Sequence, residues 1–121
     1  MLGYKAFGAG LSGPLSAAIC TDATAGVSAA GTTQGTATEL TAAVSDITTV
    51  AAGAGVVLNA SIAPGDEQAV FNAGANAVKI YPPSGLKINA LAANAAMTLA
   101  VNTGCIFKCV STTRIFGVLS A

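Results

Sequence analysis

The sequence predicts an all-β protein: a small sandwich or barrel of short antiparallel strands, preceded by an extended N-terminal arm. Three observations carry this. β-branched and aromatic residues collect in short runs, which fit a pleated strand better than a helix. Gly, Pro and Asn punctuate the chain about every 8–12 residues, the spacing of turns in sandwiches and barrels. The length, 121 residues, suits one domain of about 100–150 residues with an arm.

Residues 1–35 are mostly Gly, Ala, Ser and Thr with scattered apolar anchors. No strand or helix period persists there, and Gly and Pro interrupt it every few residues. The expectation is an arm that lies in grooves of a neighbouring subunit through Tyr4, Phe7, Leu11, Leu15 and Ile19. Gly31 to Gly35 reads as its hinge. The β domain is expected over residues 36–121.

Within it, residues 36–40 form a short strand. Residues 44–50 (VSDITTV) form a second, by their β-branched content. Residues 51–55 make a small-residue turn before the strand 56–58. Pro64-Gly65 is a turn in type II order, and 68–72 follows as a strand. Asn72 to Asn76 is expected as a tight connection into the strand 77–81. There Val78 and Ile80 share one face. Pro82-Pro83 ends that strand. Residues 86–89 form a short strand, 90–96 a turn or loop. The segments 97–101 and 105–111 should pair as a hairpin around Asn102-Thr103-Gly104, and 114–119 closes the domain. Ile106, Phe107 and Val110 make the penultimate strand apolar on both faces, so it should be covered on both sides.

The composition narrows the function. Only 8% of residues are charged, against about 25% in ordinary soluble domains. Much of the surface should therefore be covered by other protein. The Lys and Arg residues (Lys5, Lys79, Lys87, Lys108, Arg114) are too few and scattered for phosphate-driven nucleic-acid binding. There is no His, the commonest general base and a frequent metal ligand. No nucleophile–base pair built on His is possible, so no catalysis is expected. Residues 88–107 carry no charge, but Asn89, Asn94, Asn102, Thr98 and Thr103 would be costly in hydrocarbon, so no membrane span is expected.

Three local patterns offer a possible site. Gly8-Ala9-Gly10-Leu11-Ser12-Gly13 has the spacing of a dinucleotide-binding turn but lacks the preceding strand and following helix. Asp66-Glu67 could face a cation, yet adjacent acids after a turn usually form a solvated loop. Cys105 and Cys109 on one strand would sit about 13 Å apart, too far to bridge. They are read with Cys20 as free thiols. No cofactor or metal is expected.

The segments "ITTVAAGAGVVLNASIAPGDEQAVFNAGANAVKIYPPSG" (47–85), "INALAANAAMTLAVNTGCIF" (88–107) and "CVSTTRIFGVLSA" (109–121) resemble a family of small structural proteins of tailed-bacteriophage virions, of the capsid-decoration (cement) or head-fibre type. The resemblance implies a non-enzymatic protein at the capsid surface, synthesised in the host bacterial cytoplasm. Its partners would be the major capsid protein and itself, as a homotrimer. The alternative within the same resemblance is a head- or tail-fibre module that binds a host surface.

Overall fold

The computed structural model describes residues 23–120, which form ten strands. In chain order they are β1 (Ala23–Ser28), β2 (Thr38–Glu39), β3 (Val44–Thr49), β4 (Gly55–Val57), β5 (Glu67–Asn72), β6 (Val78–Tyr81), β7 (Lys87–Ile88), β8 (Met97–Leu99), β9 (Thr103–Cys109) and β10 (Arg114–Leu119). No helix is present among the described residues.

The strands build a six-stranded sheet in the order β1-β3-β5-β9-β10-β7 and a four-stranded sheet in the order β2-β4-β6-β8. From β1 to β6 the chain changes sheet at every strand. β1, β3 and β5 pair in parallel in the first sheet, and β2, β4 and β6 in the second. Three successive coils are thus stacked, as in a β-solenoid. The last part of the chain reverses this direction. β8 is antiparallel to β6, and β9 lies antiparallel between β5 and β10.

This corrects the expected sandwich or barrel of antiparallel strands; the all-β class stands. The physical reason lies in the turns. Asn- and Gly-rich connections serve both a hairpin and a corner between sheets. At Asn72 the carboxamide makes a corner: Nδ2 donates to the Leu99 and Asn76 carbonyls, both at 3.0 Å, and Oδ1 accepts from Gly74 N at 2.9 Å. Asn76 Nδ2 donates to the Val50 carbonyl of the preceding coil at 2.8 Å. Likewise 97–101 and 105–111 do not pair as a hairpin. Asn102, at φ 61°, turns the chain from β8 in one sheet to β9 in the other.

Residues 23–35, assigned to the arm by sequence, lie in the folded body. β1 pairs with β3, Ala29 is buried, and Tyr81 Oη donates to the Thr32 carbonyl at 2.9 Å. ATAGVS has little strand propensity of its own. The parallel ladder uses only its backbone, so Ala, Thr and Gly suffice. Gly31 is a corner rather than a hinge. Its φ is 78°, and a Cβ there would strike the Thr36 carbonyl, so only Gly fits.

The sheets enclose one apolar core. Ile47, Val70, Ile88, Phe107 and Ile115 come from the first sheet, and Val56, Val78, Ile80 and Leu99 from the second. Each is fully buried. Val78 and Ile80 share the inward face, as the alternation in that strand predicts, and Lys79 points out.

Candidate interaction surface

A sheet that packs on one core leaves its second face to solvent, and there the residue types decide what the face can do. In the six-stranded sheet, Ala69 of β5 stands opposite Ile106 of β9, which stands opposite Val118 of β10. Phe71 and Phe116 flank this row on the same face. Ile106 is 48% exposed, Phe71 42%, Phe116 43% and Val118 67%. Neighbouring residues on β9 alternate with them: Cys105, Phe107 and Cys109 are buried in the core. Phe71 lies over Gly104, its cross-strand partner, where a Cβ would collide with the ring. Only a residue without a Cβ leaves the ring this place beside β9.

Charges stand beside the apolar row. Lys108 Nζ reaches Glu67 Oε2 across the β5–β9 ladder at 3.5 Å. The pair is about half exposed, so it adds little to stability. The Arg114 guanidinium lies 5.4 Å from the centre of the Phe116 ring. By contrast, Lys79 and Thr98, cross-strand partners in the four-stranded sheet, stand exposed on its outer face.

The expected arm anchors Tyr4, Phe7, Leu11, Leu15 and Ile19 lie outside the described residues, as does Cys20. The Asp66-Glu67 pair is engaged by its own chain. Asp66 Oδ2 accepts from Ala63 N at 3.0 Å within the turn, and Glu67 faces Lys108. An open hollow beside these acids is lined by Thr41, Asn59, Ser61 and Gln68. The Gln68 side chain is committed there to backbone groups and does not reach out to a ligand. No group of three or more metal-ligating side chains occurs among the described residues. No helix among them is long and apolar enough to cross a membrane.

Cys105 and Cys109 are buried free thiols in β9. Burial pushes the Cys105 thiol up to about 11, and it raises Cys109 as well. The thiolate is the reactive form. At pH 8, alkylation of Cys105 in the native protein is therefore expected to be about 100-fold slower than after unfolding. The sign for stability follows from a folded value above the unfolded one: protection is complete below about pH 9 and is lost as pH rises toward about 11. Thermal melts between pH 8 and pH 11 should show this decline.

No protein-family model, curated protein or solved structure matches the chain.

Proposed function

We propose that this chain is a structural protein of a bacteriophage particle that decorates the capsid and stabilises it by covering contacts between major capsid subunits. The observation that carries the reading is the exposed apolar row on β5, β9 and β10. Four large apolar side chains on one face are what a subunit hides against neighbouring protein. The low charge of the whole chain agrees, and so does the resemblance of residues 47–121 to phage virion proteins.

The mechanism is burial. Each Å² of apolar surface withdrawn from water contributes about 25 cal/mol. Many copies on a lattice add small contacts into resistance to internal pressure. Closed three-fold association of the protein with itself would present the same face repeatedly. The stack of parallel coils also suits an elongated module, which keeps the fibre reading as the second one.

Mixing the purified protein with undecorated capsid shells, followed by sedimentation, tests the proposal. The protein should pellet with the shells. Ile106→Lys should weaken this at least about tenfold, while Lys79→Glu on the other sheet leaves it unchanged. Binding to host cells without binding to shells would favour the fibre reading. Equal binding by all three proteins would show that the apolar face makes no contact with the shell.

A further inference from the structure

The outer face of the six-stranded sheet is divided by charge. Its acids are Asp46 of β3 and Glu67 of β5; its bases are Lys108 of β9, Arg114 of β10 and Lys87 of β7. All five stand on the face that carries the apolar row. Asp46 is the cross-strand partner of Phe71, Glu67 of Lys108, Lys108 of Phe116 and Arg114 of Lys87. The residues that follow them along the strands, such as Ile47, Gln68, Ile115 and Ile88, are buried on the core side. From β3 to β7 the face therefore runs from acidic to basic, with the apolar side chains across its middle. The other charges of the described residues lie elsewhere: Glu39 and Lys79 on the second sheet, Asp66 in the turn before β5.

Glu67–Lys108 is the only ion pair among the described residues. Arg114 and Lys87 stand directly opposite each other as like charges, an arrangement that costs stability within a sheet. A carboxylate brought from outside relieves it.

A face that is acidic on one half and basic on the other fits a second copy of itself. A two-fold axis lying in the plane of contact and passing over β9 exchanges the halves. It lays β3 and β5 of each copy on β10 and β7 of the other. The apolar middle then meets its own kind, and each basic half receives carboxylates. A two-fold contact requires one patch to be complementary to itself, and both halves of that fit are present in this chain. Four strands about 4.8 Å apart and about 20 Å long give each copy about 400 Å² of face. The contact thus belongs to the small, weak class of interfaces, which forms where copies are crowded, as on a particle surface.

We propose that the outer face of β3, β5, β9 and β10 binds a second copy of this chain, face to face about a two-fold axis, with the acidic half of each on the basic half of the other. This rests on the reading that the face is covered by protein, and it names the cover.

Sedimentation equilibrium of the full-length protein between about 10 μM and about 1 mM tests it with two charge variants. Asp46→Lys/Glu67→Lys makes the face basic throughout, and Lys87→Glu/Arg114→Glu makes both halves acidic outside Lys108. The wild type should dimerise. Each variant alone should dimerise at least about tenfold more weakly. An equimolar mixture of the two should recover the wild-type association, because acid again meets base. Salt at about 0.5 M should weaken the wild-type dimer, a measurement that needs no variant. The proposal is overturned by a wild-type chain that stays monomeric over this range, by variants that each dimerise as the wild type does, by a mixture that recovers nothing, or by indifference to salt. Pelleting with capsid shells is read separately. A chain that binds shells but does not dimerise keeps the decoration role and loses the second copy; one that dimerises but binds no shell does the reverse.

Discussion

Phe107→Ala is expected to destabilise the protein by about 3–5 kcal/mol, whereas Ile106→Ala leaves the stability of the folded chain within about 0.5 kcal/mol. The two residues are neighbours on β9, and successive side chains on a strand point to opposite faces. Phe107 is fully buried between the sheets, and Ile106 is half exposed on the outer face. Removing the ring leaves a cavity that the rigid strand ladders can close only partly. A loss of that size is a large share of the about 5–15 kcal/mol that holds a domain together. Removing the Ile106 side chain instead takes a contact from the apolar row. It should show as weaker association in sedimentation and as an unchanged urea midpoint. A large midpoint shift for Ile106→Ala would mean that this face is part of the chain's own core.

Gln68→Leu is the second large effect, and it comes from hydrogen bonds rather than volume. Gln68 is buried in β5. Its Nε2 donates to the Leu40 carbonyl at 2.7 Å and the Ala42 carbonyl at 3.1 Å. Its Oε1 accepts from Asn59 N at 3.0 Å. One side chain thus ties the passage from β2 to β3 and the exit from β4 to the third coil. Leucine matches the size but takes the side-chain partner from all three backbone groups. Each buried unpaired group costs about 1–3 kcal/mol, so a loss of at least about 3 kcal/mol is expected from urea unfolding. A variant within about 1 kcal/mol of the wild type would show that water replaces the amide.

Most strands from residue 36 onward were legible in the sequence; their pairing was not. β3, β6 and β10 lie within a residue or two of the expected strands, because β-branched and aromatic runs favour a strand and Pro82 ends β6. The order of pairing depends on whether Asn72 to Asn76 makes a hairpin or a corner, and the residue types are the same for both. What decides is the Asn72 carboxamide reaching the Leu99 carbonyl, far along the chain. β1 carries no such signal, because ATAGVS forms a strand by lying on β3. The surface fared better: Ile106 beside Phe107 announced a strand with apolar groups on both faces. Its partners in the row, Phe71 and Val118, become neighbours only through the β5–β9–β10 order. Gln68 carried no signal, since a single Gln in a strand usually faces water.

The proposed decoration role requires that the apolar face of β5, β9 and β10 be covered by protein in a virus particle. An electron cryo-microscopy map of the purified particle from the source tests this most directly. The expected map shows many copies of the chain on the outer capsid surface, with Phe71, Ile106, Phe116 and Val118 buried against a neighbouring subunit. A particle that lacks the chain, or one that carries it with this face open to solvent, would rule the decoration role out.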